Sequence, residues 1–431
     1  MAGPSTRTNR YRSGRRPLAL ALALAVVSAL LVSCGGGSSK TTLYWYINPD
    51  TGGQDAVAKR CSTDKYTVTT QVLPTDASEQ RIQLARRLAA GDSSIDLMSI
   101  DPPYTAEMAN AGYLAPLPAD LVSKLTQQSF RSAITAVTWK GRMVAAPFWS
   151  NTQVLWYRKS FVNKVGIDMN KPVTWAQLIK VAADNGGTVA VQANKYEGYA
   201  VWINALVSGA GGSLVKNAAK GVDATITINS PAGEDAAKVI EDLSHSKAAP
   251  ADLSVSNEGT AGTTFGSSRG AFMVNWTYIY HNYDETAPDV AKDIGYTMYP
   301  ETVQGRPARP PYGGIGIGVS KFSNHIDEAT QAVACITSPT SQGINAKITG
   351  NMPSSAAGYD YAPLKKIYPA NLLALFQKSL DTAAPRSVTP YWSDISGAIQ
   401  STWHSPTSVN NQTPQKSANF IEQVLKGQAL L

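Results

Sequence analysis

The sequence predicts an α/β fold. Three observations carry this. Strand-like and helix-like runs alternate from residue 42 to 101, a second alternation follows, and 43% hydrophobic with 16% charged residues suits a globular chain. A length of 431 residues leaves room for two or three domains.

TLYWYI (42–47) reads as a buried first strand, ended by the turn NPDTGG. Residues 54–61 read as a helix and YTVTTQVL (66–73) as a second, alternating strand. In DASEQRIQLARRLAAGD, Asp76 and Glu79 have capping-box spacing, Ile82, Ala85 and Ala89 follow at helical spacing, and Gly91 is a natural stop. SIDLMSID (94–101) is a short apolar strand that ends on Asp101, where Asp-Pro-Pro breaks it and starts a loop. Ligands of such sheets sit beyond the carboxyl ends of the strands, and Asp101 stands at one. The second pattern has helices at 174–187, 197–212 and 230–246, and strands GAFMVNW (270–276) and YGGIGIGVSK (312–321). Between these patterns FWSNTQVLWYR (148–158) sets four aromatics around a Ser-Asn-Thr-Gln run. The pattern fits both a core strand and the wall of a polar site.

The N-terminus carries targeting information. Five arginines precede the apolar run LALALALAVVSALLV and then Ser33-Cys34, the layout of a secretory signal peptide. LVSC (31–34) resembles a bacterial lipoprotein cleavage box, in which Cys34 becomes the lipidated first residue, and GGGSS follows as a tether. Residues 1–33 hold five positive charges and no negative ones, so removing them lowers the formal charge from +7 to +2. The basic character is therefore mostly targeting and makes no case for nucleic acid. The Arg15-Arg16 pair leaves the export route open between the general and twin-arginine pathways. Cys61 and Cys335 remain, either bridged or as two free thiols.

Several chemistries find no support. Four histidines lie at no metal-ligand spacing, and neither a nucleophile elbow nor a P-loop is present. GGIGIG lacks the remaining glycine of a dinucleotide fingerprint. A glycosidase needs two flanking carboxylates; Asp96, Asp101 and Glu258 are available, with nothing to single out a pair. No cofactor or metal is implied, and the chain is expected not to be an enzyme. Nine Trp and nineteen Tyr beside amides and acids point instead to a surface that stacks on sugar rings and bonds hydroxyls.

Five segments, DLMSIDPPYTAEMANAGYLAPL, KGRMVAAPFWSNTQVLWYR, VTWAQL, GAFMVNW and GNMPSS, occur in order between residues 96 and 355. Together they resemble the extracellular solute-binding proteins of carbohydrate ABC importers, the maltose-binding-protein-like class. SEQRIQLARRL, DPPYTAE, SNTQVLWYR, VQAN-x-x-EG, VNW and the Arg-x-x-x-Pro of PRSVTPYW further resemble its mycobacterial trehalose-binding lipoproteins over nearly the whole mature chain. The resemblance implies a two-lobed periplasmic-binding-protein-like fold, each lobe a mostly parallel sheet flanked by helices, hinged by several crossovers. Signal peptide 1–33 and tether 34–41 would precede lobe 1 (42–147 and 313–351) and lobe 2 (148–312 and 352–431). It implies a trehalose-like disaccharide in the interlobe cleft, ABC permease subunits as partners, a lipid anchor on the extracytoplasmic face and a monomer. Another oligosaccharide or a polyol is the alternative ligand.

Residue by residue, the resemblance assigns Asp101 and Glu258 to sugar hydroxyls, Asn151 to a hydroxyl through its amide, and Trp276 to stacking on a ring. It assigns Gly314 to close backbone approach, Arg386 to donation from the far lobe, and Asn48 to a first-loop contact, although YINPDTGG departs from the family form. Each has a plainer reading. Asp101 fits a helix N-cap, Asn151 a turn amide, Trp276 core, Glu258 a surface acid, and Arg386 a partner of Asp381 or Asp394. A late return of the chain to the first lobe would also bring Cys335 toward Cys61.

Overall fold

The computed structural model describes residues 40–431. The leader, Cys34 and the tether through Ser39 lie outside these residues. No helix among the described residues is long and apolar enough to cross a membrane.

The opening segment follows the expected alternation: β1 (Thr41–Ile47), α1 (Gly53–Cys61), β2 (Tyr66–Val72), α2 (Ala77–Ala89) and β3 (Leu97–Ile100). Asp-Pro-Pro then starts a helix, α3 (Pro102–Asn110), and not the expected loop, because the fixed φ of proline suits the first helical turn as well as it ends a strand. Asp76 caps α2 by accepting from the backbone N–H of Ser78 and Glu79 at 2.8 and 3.1 Å. The buried face of α2 differs from the expected one. Gln80, Leu84 and Leu88 point inward, whereas Ile82 is 37% exposed. An i, i+4, i+8 row with a polar first member won over the Ile82–Ala85–Ala89 row, because leucines at 84 and 88 offer more apolar area than alanines.

The chain continues through β4 (Ala146–Arg158), α4 (Trp175–Asp184), β5 (Thr188–Ala190), α5 (Glu197–Gly209), α6 (Pro231–Ser244), α7 (Glu258–Gly266), β6 (Gly270–Trp276), α8 (Ile279–Thr286), β7 (Ile294–Thr297), β8 (Tyr312–Val319), α9 (Ile326–Ile336), α10 (Pro339–Thr349) and α11 (Trp392–Trp403). Thr174 and Gln177 form a reciprocal capping box at the start of α4.

These strands form one eight-stranded sheet in the order β2-β1-β3-β8-β4-β6-β5, with β7 also on β4. Pairs joined by helical crossovers, β1 with β2 and β3, and β5 with β6, are parallel. The crossing strands run against them: β8 is antiparallel to β3 and β4, and β4 to β6 and β7. β4 is the spine. Its residues Ala146–Thr152 pair with β8, and from Gln153 onward it pairs with β6, then also β7. Its first eleven residues are all buried. Val154 and Trp156 face one apolar cluster and Leu155 another, as strand alternation requires.

One cluster joins β1, α1, the start of β4, β8 and α9. The late segment thus returns to the first strands, and there Cys61 and Cys335 are bonded, with Cα atoms 5.6 Å apart. A bridge between residues 274 apart restricts the unfolded chain strongly. Replacing both cysteines by serine should cost about 2–4 kcal/mol of stability. Denaturant unfolding measures this, and recovery of the two residues in separate peptides without reduction would refute the bridge.

Candidate functional site

Where β4 changes partners, the two halves of the sheet enclose a cavity of about 440 Å³. All seven residues singled out from sequence line it: Asn48, Asp101, Asn151, Glu258, Trp276, Gly314 and Arg386. They come from loops after β1 and β3, from β4 and β8, from the start of α7, the end of β6, and the segment before α11.

Asp101 occupies the N-cap position of α3 but its carboxylate makes no cap hydrogen bond. Pro102 and Pro103 fill the first two helical positions and offer no N–H, and the N–H of Tyr104 at the third bonds the Asp101 backbone carbonyl at 3.0 Å. The freed carboxylate faces Arg386, whose Nη2 lies 2.9 Å from Oδ1. Nη1 of the same guanidinium lies 2.7 Å from Oε1 of Glu197. Neither Asp381 nor Asp394 is its partner. Glu197 has two further donors: Trp392 Nε1 donates to Oε1 at 2.8 Å and Ser396 Oγ to Oε2 at 2.5 Å. Arg386 and Glu197 side chains are each 6% exposed, Asp101 20%. Burial pushes the Asp101 carboxyl up to about 6 against the pull of Arg386. For Arg386, burial acts to lower the pKa, and the two carboxylates override it and raise it.

A second cluster surrounds Glu258. Tyr196 Oη donates to Oε2 at 2.7 Å, and Trp276 Nε1 reaches Oε1 at 3.4 Å. Burial first, and then Glu258, raise the Tyr196 pKa well above its usual value. The Trp276 ring is half-buried and lies against Gly313, where a Cβ would stand 2.8 Å from the ring. Gly314 has φ +142°, and its Cβ would fall 2.3 Å from the Trp149 carbonyl oxygen. The approach that demands glycine there is between β8 and β4.

Asn151 is a joint as well as a wall. Its Oδ1 accepts from Met352 N and Thr277 Oγ1, each at 3.2 Å, and its Nδ2 donates to Asn351 Oδ1 at 2.7 Å. One amide N–H remains. Asn48 Oδ1 is buried with no partner among the described residues. Asp96 is absent from the lining: it is buried elsewhere, accepting from Tyr44 N and Ser323 Oγ. Among the described residues no group of His, Cys, Asp and Glu could hold a metal ion.

The family model for bacterial extracellular solute-binding proteins matches residues 55–343. The chain belongs to that family. A Deinococcus radiodurans protein described as a probable ABC transporter-binding protein is 26% identical over 370 residues, 82% of this chain and 84% of that one. The maltose-bound T. maritima MalE3 structure has a TM-score of 0.78 at 22% identity, covering 90% of this chain and all of that one. The GacH receptor of Streptomyces glaucescens, solved unliganded and with acarbose, has a TM-score of 0.76 at 20% identity, covering 91% and 100%. These likenesses bear out the expected two-lobed α/β architecture.

Sequence reasoning missed several lining residues of this solute-binding protein. Tyr196 and Glu197 lie within VQANKYEG, which was legible only as a motif. Glu197 opens a helix, where an acid is ordinary, so nothing local marked it as the partner of an arginine 189 residues away. Trp149, Tyr278 and Asn351 also line the cavity, and only the meeting of β4, β8 and the loops around them brings them there.

Proposed function

We propose that this chain is the sugar-capturing lipoprotein of an ABC importer, which takes a trehalose-like disaccharide into the cavity and delivers it to a membrane permease. The observation that carries this is the convergence of the seven residues on one cavity. Its volume falls within the roughly 300–1,000 Å³ of small-molecule sites. In this reading Trp276 stacks on a ring, while Asp101 and Glu258 accept from hydroxyls. Asn48 Oδ1 supplies an unpaired acceptor and Asn151 its remaining N–H. Arg386 contributes when the ligand displaces Asp101 from one of its arms. The lobes 42–147 with 313–351 and 148–312 with 352–431 close about β4 and β8, as a population shift stabilised by contacts to both. Cys34 carries the anchor on the extracytoplasmic face, and the protein acts as a monomer.

Calorimetry against trehalose, maltose, other disaccharides and polyols tests the reading. Trehalose should bind most tightly; binding of a polyol with no disaccharide bound would reject it. Trp276→Ala should weaken disaccharide binding about 10- to 100-fold, the loss of a central aromatic anchor. An unchanged affinity would show that the ring serves only to pack on Gly313.

A further inference from the structure

Each carboxylate of the cavity stands at the start of a helix. Asp50 precedes α1, and its two oxygens accept from the backbone N–H of Gly52 and Gln54, both at 2.9 Å. Asp76 caps α2 and Asp101 holds the N-cap position of α3. Glu197 and Glu258 are the first residues of α5 and α7. A sixth helix, α8, begins beside Tyr278 and has no acid in its first turn.

A helix N-terminus is ordinarily where an anion binds, because its unpaired N–H groups and dipole favour negative charge. Five of the six ends here already have an acid of the chain's own beside them, and at two of them Asp50 and Asp76 bond the helix N–H groups directly. The one cation of the lining, Arg386, has an arm on Asp101 and an arm on Glu197. Five carboxylates and one guanidinium give the lining a formal charge of −4. Six helix ends at about half a positive charge each return about +3, and the lining stays negative.

We propose that the cleft selects its sugar by charge: it takes neutral sugars, admits an amino substituent, and rejects sugars that carry a carboxylate or phosphate. The inference rests on the sugar-binding reading above. An anionic substituent entering this cavity loses its hydration and meets five carboxylates; an arm of Arg386 released by Asp101 does not offset this, because the guanidinium stays paired with Glu197 and the displaced Asp101 carboxylate remains in the wall. An ammonium group in the same place meets the oxygens of Asp101 or Glu258, which accept from it as they accept from a hydroxyl.

The test is a series in which charge changes and shape does not. On both trehalose and maltose frameworks, one 6-hydroxymethyl group is replaced by a carboxylate, by the corresponding carboxamide, or by an aminomethyl group. Affinities of the mature protein are measured by calorimetry at neutral pH. On the framework that binds, the carboxylate should bind at least about 30-fold more weakly than the carboxamide, and the amine no more weakly than the carboxamide. Asp76→Asn, which preserves the cap and removes a charge, should narrow the carboxylate-to-carboxamide ratio several-fold. A carboxylate within threefold of its carboxamide overturns the inference while the sugar reading stands. Binding confined to the maltose series overturns the trehalose assignment and leaves the charge ratio readable. If no parent sugar or derivative binds, and no sugar of the calorimetric panel above binds either, the sugar reading fails and takes the inference with it.

Discussion

Replacing Arg386 by methionine should abolish measurable sugar binding and cost about 3–5 kcal/mol of stability, the penalty for leaving buried charge unpaired. The guanidinium lies between Asp101 and Glu197, at 2.9 and 2.7 Å. Without it two carboxylates face each other in a low-dielectric wall. Glu197 keeps Trp392 and Ser396 as donors, but Asp101 loses its one ion-pair partner. Arg386→Lys should recover part of the stability and little of the binding, because an ammonium has no planar fork to serve both acids. Denaturant unfolding and calorimetry on the same samples separate the two effects. A stable Arg386→Met protein with native affinity would remove Arg386 from the site.

Asp101→Asn should do the opposite to stability. Burial holds the Asp101 carboxyl at about 6 in the fold, against about 3.9 in an unfolded chain. The folded state therefore binds this proton more tightly than the unfolded state. Its contribution to stability is fully present below about pH 4 and is lost as pH rises through about 6, an order of 3 kcal/mol. Asparagine removes that dependence. The variant should match the parent near pH 4 and be more stable by about 3 kcal/mol at pH 7. Arg386 is not orphaned by the change, because Glu197 still pairs with it. Sugar affinity at pH 7 should fall at least about tenfold, as an ionised acceptor is replaced by a neutral one. Parallel stability profiles of the two proteins from pH 4 to 7 would show that Asp101 does not titrate in this window.

The two variants differ because the three charges are not equivalent. Glu197 sits inside a set of donors from α11 and holds one arm of Arg386 in place. Asp101 comes from the opposite half of the sheet, across the cavity, and is the more exposed partner. Its bond to Arg386 is the one that a sugar hydroxyl can replace on entry.

Local chemistry made much of this protein legible. Alternation and capping residues placed the strands and helices from Thr41 to Ile100, and Asp-Pro-Pro marked the end of a strand where a ligand could sit but not the helix that begins there. The ordered motifs pointed to the family and to seven residues that share one cavity. The buried row of α2 was misplaced because helical spacing permits two rows and only packing selects one. The roles of Asn151 and Gly314 depend on what they meet: Asn351 and Thr277 for one, the Trp149 carbonyl for the other.

FWSNTQVLWYR shows the division most clearly. Its aromatic and β-branched residues determine a strand, and its alternation determines which side chains share a face. That the strand is shared by two half-sheets, with the handover at Thr152 and Gln153 beside Asn151, is a property of its neighbours. The sequence by itself determined the elements, because their signals are periodic and local. The tertiary structure alone decided the site, because Asp101, Glu197 and Arg386 become one charge network only when residues up to 285 positions apart are brought within hydrogen-bond reach.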